Sequence, residues 1–378
     1  MLSGIRIVEI CGIGPGPFCA MHLADLGADV IAVERSLPTG TGSGTGTPPP
    51  AGNVINRGKR SVVADLKTPE GRELVLRLIE DADALIEGMR PGVMERLGLG
   101  PDVCHARNPR LVYGRMTGWG QSGPMAQAAG HDNNYIALSG ALYYNGGPVE
   151  PPSSAITVVG DIGGGALYLA IGLLSGILNA RATGQGTVVD AAIVDGSAHM
   201  LQLMLATQAK GFITGQRGDN IFDSSHFYAT YRCADGHCIT VGSIEPQFYA
   251  LLLEKLGVAE DPRFARQWDR KRWPELHRHF AELFASRTRA EWSALLENTD
   301  VCFGPVLSPE EAARHPHNVA RGIYVESEGR LQAAPAPRFD GEARKPGAIP
   351  TTGQHTAEIA AGLAQGAAAG VWRTPAKG

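Results

Sequence analysis

An open, mostly parallel α/β sheet followed by a smaller α+β unit is the fold class that this chain of 378 residues predicts. Three observations carry the prediction. Short β-branched runs alternate with apolar-periodic helical stretches through the first third of the chain. Glycine is abundant, at 49 residues, and aromatics are few, which suits tight strand-to-helix crossings. From about Phe227 the alternation stops, and two strands are followed by a series of helices. Strand–helix alternation of this kind implies parallel strands joined by right-handed crossovers.

The elements follow in order. Residues 5–10 form a β-branched run, then a Gly/Pro turn opens an apolar-periodic helix to about Leu26. Residues 29–34, 62–66, 84–87 and 111–116 are further strands, with helices expected at 69–81 and 92–97. Long helices are expected at 131–142, 162–182 and 193–210. The second unit should hold strands at 227–232 and 237–241 and helices at 246–256, 274–286 and 289–297. A short helix and several Pro-interrupted strands come after about 305. The expected domains are therefore 1–215, a large unit with a linker helix; 216–310, a small α+β unit; 311–345, a return to the large unit; and 346–378, an Ala/Gly/Pro-rich tail that frays. Residues 36–53, Gly/Thr/Pro-rich and of low complexity, read as a mobile loop.

Composition narrows the function. A hydrophobic content of 43%, a charged content of 19% and a net charge of −4 fit a soluble globular enzyme and argue against nucleic acid or a membrane surface as partner. An anionic ligand would need a local basic patch. The longest apolar stretch, 166–178, is interrupted by glycine and reads as a buried helix, not a membrane span. The six cysteines, at 11, 19, 104, 233, 238 and 302, include no CxxC pair. Cys233 and Cys238 with His226 and His237 match no common zinc spacing, so structural thiols and no metal are expected. A strand pattern at the start and this cysteine usage point to a reducing cytoplasm.

Two strings carry chemistry. Gly130-His131-Asp132-Asn133-Asn134-Tyr135 and, some thirty residues on, Gly160-Asp161-Ile162-Gly163-Gly164-Gly165 each place a proton-exchanging side chain beside glycine at the head of a helix. An Asp in that position is ordinarily a cap, and a single His is ordinarily structural. Together, an imidazole and a carboxylate are able to flank one carbon and move its proton from either face. Free N–H groups of a helix N-terminus suit a developing enolate oxygen. Nearby motifs fall short. Gly12-Ile13-Gly14-Pro15-Gly16-Pro17 echoes a dinucleotide fingerprint, but Pro17 occupies the third glycine's place. Gly58-Lys59-Arg60-Ser61 is a broken P-loop, and no GxSxG elbow exists. Arg35, Arg57, Lys59, Arg60, Lys67 and Arg90 lie near strand ends; singly they read as solvated loop charges, and collectively they suit a ligand with three phosphates.

The strings GHDNNYIALSG (130–140), VGDIGGG (159–165) and VGSIEPQFY (241–249) resemble the racemase branch of the family III CoA-transferase superfamily. Segments at 14–21, 23–30, 56–61, 87–93, 117–121 and 184–186 resemble family segments in family order, so the likeness covers roughly residues 2 to 340. The resemblance implies a Rossmann-like large domain plus a smaller α+β domain in an interlocked homodimer, acting on an acyl-CoA thioester with no cofactor beyond the coenzyme A of the substrate. It implies that His131 and Asp161 interconvert (R)- and (S)-2-methylacyl-CoA, a reaction of lipid metabolism. His131 would serve the (S) face and Asp161 the (R) face, with pKa values that converge. Asp132 would supply the oxyanion N–H and a cap, and Glu245 would orient His131 from the other subunit. Coenzyme A would be held by Arg35, by Ala64, Asp65, Leu66 and Lys67, by Arg90, and by Gly130 and Tyr135. The rival reading is a transferase in which the Asp161 carboxylate attacks the thioester. A non-catalytic acyl-CoA binder would not need His131 and Asp161 together. Two departures bear on the acyl group. Asn133 stands where an apolar residue is usual, and Ser224-Ser225-His226-Phe227-Tyr228 is one residue shorter than its counterpart, which makes His226 a candidate third polar group.

Overall fold

The computed structural model describes residues 1–35, 52–147, 149–155, 157–365 and 368–374. The loop expected at 36–53 therefore lies almost wholly outside the described residues. The chain divides into two compact units. The first comprises Met1–Gly140, Ala155–Met200 and Pro316–Gly378, and the second Ala141–Ser154 and Leu201–His315.

In the first unit β1 (Arg6–Ile10), α1 (Pro15–Asp25), β2 (Asp29–Glu34), β3 (Arg60–Val63), α2 (Pro69–Ile79), β4 (Ala84–Glu87), α3 (Val93–Arg96), α4 (Pro101–Arg107) and β5 (Val112–Thr117) follow one another, α4 being a helix that the sequence reading did not anticipate. Then come α5 (Asp132–Ser139), a π-helical segment over Val158–Ala166 that continues into α6 (Leu167–Thr183), β6 (Thr187–Ala192) and α7 (Ile193–Met200). Six parallel strands form one sheet in the order β3-β2-β1-β4-β5-β6. Neighbouring residues of β1 serve opposite faces, as period-two strands must. Val8 and Ile10 join Ile31, Val33, Leu78, Leu85 and Tyr113 on one side, and Ile7 joins Leu23, Val30, Ile86, Leu169 and Leu173 on the other. A sheet packed on both sides explains why these strands read as unbroken apolar runs.

The second unit holds α8 (Gln202–Ala209), β7 (Tyr228–Arg232), β8 (Cys238–Gly242), α9 (Pro246–Leu256), α10 (Trp273–Phe284), α11 (Arg289–Leu296), β9 (Phe303–Pro305) and α12 (Pro309–Arg314). Its three strands pair antiparallel in the order β7-β8-β9. Phe227, Phe264, Trp273, Phe280 and Phe284 make an aromatic core. The chain then returns to the first unit through α13 (Pro316–Arg321), a hairpin of β10 (Tyr324–Ser327) and β11 (Arg330–Ala333), and α14 (Thr356–Ala364).

Four expectations change. Residues 141–154 belong to the second unit, where Arg217 donates to the carbonyls of Gly147 and Glu150. The units divide at 200/201 and 315/316, not at 215 and 310, and the helix expected over 193–210 breaks into α7 and α8. The tail at 346–378 is not frayed over its described part. Ile359 and Leu363, one turn apart on α14, are buried in the core with Trp372, and Val63 N–H donates to Thr356 Oγ1 at 3.0 Å beside the exposed edge of β3. Composition hid these few anchors among alanines. Finally, α6 is buried on one side only. The helical run Val158–Thr183 is long and apolar enough to cross a membrane by length and composition. Its Leu169, Leu173 and Ile177 are buried in the core under the sheet, while Leu167, Ile171 and Leu178 are exposed.

Candidate active site

The strand order reverses direction between β1 and β4, and ligands of open parallel sheets collect at the carboxyl ends of the strands at such a switch point. A cavity of about 520 Å³ lies there. Residues Gly12–Pro17 beyond β1 and Gly88–Pro91 beyond β4 form two walls. Thr117–Trp119, Gly130, His131, Asn134, Tyr135 and Asp161 complete the lining. Sequence reasoning placed His131 and Asp161 in one site, and the fold brings both to this cavity.

His131 is exposed and stands as the N-cap of α5, with its own N–H donating to Asn134 Oδ1 at 3.0 Å. Asn134, not singled out from the sequence, thereby fixes the backbone that carries the imidazole. Asp132 opens α5, where the first-turn N–H groups have no acceptor within the helix. Its side chain does not cap α5, contrary to expectation. It is buried, and Oδ1 accepts the backbone N–H of Asp161 at 2.6 Å, while Oδ2 has no partner among the described residues. This bond ties the start of α5 to the π-helical segment.

The glycines of VGDIGGG let that segment sit where it does. A Cβ on Gly160 would land on Asp132 Oδ1, and one on Gly164 would land on Ser197 Oγ of α7. Only glycine lets the wide-turned backbone approach α5 and α7 this closely. On the opposite wall Gly14 adopts φ 77°, and a Cβ there would stand 3.6 Å from Asp161 Oδ2. The echo of a dinucleotide fingerprint also acquires a local meaning. Pro15 and Pro17 have no N–H, so Gly16 alone among the first three residues of α1 has a donor to offer a phosphate.

Burial raises the pKa of the Asp161 carboxyl above the ordinary range, the Asp132 carboxylate raises it further, and His131 opposes both. The shift moves Asp161 toward the range of an imidazole, as two exchanging bases require. Tyr135 packs edge-on against Trp119 at 4.7 Å and gives its hydroxyl proton to the Gly130 carbonyl, so its hydroxyl proton is already used within the protein.

The basic residues divide. Arg90 lines the cavity mouth and is exposed, and Arg35 and Lys67 are exposed beyond the ends of β2 and β3. These three keep their charged groups in solvent. Arg57, Lys59 and Arg60 do not, because each is buried and paired: Arg57 with Asp25 at 2.6 Å, Lys59 with Glu9 at 2.7 Å, and Arg60 with Asp29 at 2.7 Å. Ala64 and Leu66 are buried with the core, and the Asp65 carboxylate accepts Lys67 N–H at 3.0 Å, so Ala64 and Leu66 have only backbone to offer a nucleotide. Glu87 was not anticipated as a site residue. Its Oε2 accepts Met89 N–H at 2.6 Å and so sets the turn that presents Arg90; burial pushes its carboxyl up to about 7, against the pull of that N–H and of Arg115.

Two predicted residues belong to the second unit. Glu245 is the exposed N-cap of α9, and its side chain does not cap the helix. His226 is sealed inside the aromatic core and is not a polar group of a site. Its Nε2 lies 2.7 Å from Tyr249 Oη, Phe280 stands edge-on at 5.1 Å, and burial, aided by His277 and Arg272, pushes its pKa down to about 3.

Fold and cavity together define an α/β protein with an imidazole and a carboxylate on one cavity at the sheet's switch point. Residues 2–356 match CoA-transferase family III, and the chain belongs to that family. It is 42% identical over 362 residues to the alpha-methylacyl-CoA racemase of Homo sapiens, covering 95% of this chain and 92% of that protein, and 41% identical over 363 residues to the racemase of Mus musculus. It is 32% identical to a succinyl-CoA–D-citramalate CoA-transferase of Chloroflexus aurantiacus, over 95% and 92% of the two chains. The crystal structure of a CaiB/BaiF family protein from Brucella suis aligns with a TM-score of 0.81 at 29% identity, covering 96% of this chain and 99% of that one.

The coupling of the two carboxyls is open to direct titration. Asp132→Asn removes the negative charge that helps hold Asp161 in its acid form, so the midpoint of the Asp161 carboxyl in a ¹³C NMR titration should fall toward the ordinary Asp range. A midpoint that stays in place or rises would contradict the coupling.

Proposed function

We propose that this chain is a cofactor-independent isomerase that interconverts (R)- and (S)-2-methylacyl-CoA thioesters by 1,1-proton transfer. The observation that carries the reading is His131 and Asp161 on one cavity, with Asp161 shifted up in pKa by burial and by Asp132. The identity to the two racemases over most of both chains supports it.

In this reading, neutral His131 takes the α-proton of the (S) epimer, and the C–H electron pair moves onto the thioester oxygen. The Asp132 N–H at the positive end of α5 steadies that oxyanion. Protonated Asp161 then delivers its proton to the other face. The reverse direction begins with ionised Asp161 and an imidazolium. A positioned base supplies roughly 10²–10⁴ in rate and an oxyanion donor about as much again, so neither suffices alone. Arg90, Arg35 and Lys67 hold the phosphates of the coenzyme A portion, with backbone groups of residues 64–67 along its nucleotide.

We also read the protein as an interlocked homodimer in which Glu245 of one chain orients His131 of the other. The exposed apolar stripe of Leu167, Ile171 and Leu178 supports a large contact surface. Light scattering should give twice the chain mass down to nanomolar protein, and a stable folded monomer would remove Glu245 from the reading. The family also contains transferases, whose chemistry would have the Asp161 carboxylate attack the thioester carbonyl and expel CoA thiolate, leaving a mixed anhydride. A carboxyl held up in pKa and paired with an imidazole favours proton transfer over that nucleophilic role.

Epimer-resolved exchange tests the assignment. In D₂O, His131→Ala should lose most α-exchange from the (S) epimer and Asp161→Asn most from the (R) epimer. Each should lose racemisation by roughly 10²–10⁴. The double variant should be little worse than either, because the pair acts as a unit. Equal losses from both epimers in each variant would contradict the two-base reading.

A further inference from the structure

Lys59 and Glu9 form an ion pair with no exposed side-chain surface, 2.7 Å apart, beneath the cavity wall that follows β1. The ammonium has three donors and all three are used: one on Glu9 Oε2, one on the Pro17 carbonyl at 3.0 Å, and one on Asn56 Oδ1 at 3.3 Å. Pro17 lies in the first turn of α1, and the turn Gly12–Pro17 is itself cavity wall. Two residues earlier in the chain, Arg57 grips the other end of the same helix, with Nε 3.1 Å and Nη2 2.6 Å from the Asp25 carboxylate. The turn leading into β3 therefore clamps α1 at both ends.

The clamp matters because of what the wall faces. Gly14, at the start of α1, stands so close to Asp161 that the carboxylate would touch a Cβ placed there. A shift of α1 along its axis would change the room around Asp161 directly. Energetics point the same way. Desolvating two charges costs about as much as their attraction returns, so a buried pair contributes little net stability, and apolar side chains of similar volume often serve as well. Here the fold also tolerates Glu9 Oε1 buried with no partner among the described residues. What the ammonium supplies that a methionine cannot is a directed hold on the Pro17 carbonyl.

We propose that the Lys59–Glu9 pair is a positioning device for the proton-transferring carboxylate of Asp161, acting through the first turn of α1. This rests on the two-base reading above. The test uses the full-length protein carrying Glu9→Leu with Lys59→Met, which removes both charges together so that neither stays buried without its counter-charge, and Glu9→Gln as a milder second variant. The double variant should melt close to wild type. Its exchange from the (R) epimer, the one assigned to Asp161, should fall by about tenfold to a hundredfold at nearly unchanged KM, as expected for a displacement of an ångström or less. Exchange from the (S) epimer should change far less, and Glu9→Gln should show the same asymmetry in smaller degree. A purely structural role would depress both epimers alike, and that result, or no loss from either, overturns the proposal. Amide hydrogen exchange gives an answer independent of the reaction: Phe18, whose N–H donates to the Gly14 carbonyl at 3.2 Å, should exchange faster in the double variant, and unchanged protection there would also overturn it. Should wild-type protein exchange neither epimer, the two-base reading fails, and the amide measurement alone decides whether the clamp holds the wall.

Discussion

Everything at the cavity depends on one hydrogen bond, the 2.6 Å contact from the Asp161 backbone N–H to Asp132 Oδ1. It joins two segments that arrive from different parts of the chain. One is the start of α5, which carries His131; the other is the π-helical turn that carries Asp161. The bond needs Gly160 beside it, because any side chain there would occupy the carboxylate's place. It also puts a second carboxylate near Asp161, which raises the Asp161 pKa. A single contact therefore fixes geometry and tunes electrostatics together. A charged acceptor makes such bonds shorter and stronger than neutral ones, which suits a joint that must not slip.

Around that joint the first unit separates two uses of positive charge. Cations close to the sheet are consumed as clamps: Arg57 and Lys59 on α1, and Arg60 on Asp29 and the Val371 carbonyl. Arg35, Lys67 and Arg90 instead keep their guanidinium or ammonium groups in solvent, where an anion is able to reach them. This division lets a chain of net charge −4 keep some cations exposed without a basic surface.

Much of the fold was legible because strong local signals agree with the tertiary structure. The apolar runs of β2 and β4 and the Pro246 start of α9 fall where expected. The misses have separate causes. β6 is an edge strand whose Thr187, Val188 and Asp190 are exposed, and it runs straight into α7, so its pattern merged with the helix. The order of the tail rests on Ile359, Leu363 and Trp372, too few to stand out from an Ala/Gly background. In the site, glycine context flagged His131 and Asp161, since backbone crowding leaves a mark in sequence. Charge pairing leaves none. The partners of Arg57, Lys59 and Arg60 are Asp25, Glu9 and Asp29, distant in sequence, so all three cations looked available for phosphate. His226 misled for the same reason: only packing reveals that Tyr249, Phe264 and Phe280 enclose it.

The central claim is that this cavity moves a proton on carbon and leaves the thioester bond intact. Wild-type protein incubated in D₂O with one enantiomer of a 2-methylacyl-CoA, with no acceptor acid present, tests it most directly by mass spectrometry and chiral analysis. The account predicts deuterium at the α-carbon, appearance of the other enantiomer, and no release of coenzyme A. Absence of α-deuterium, together with an acyl group on Asp161 that hydroxylamine traps, would contradict it.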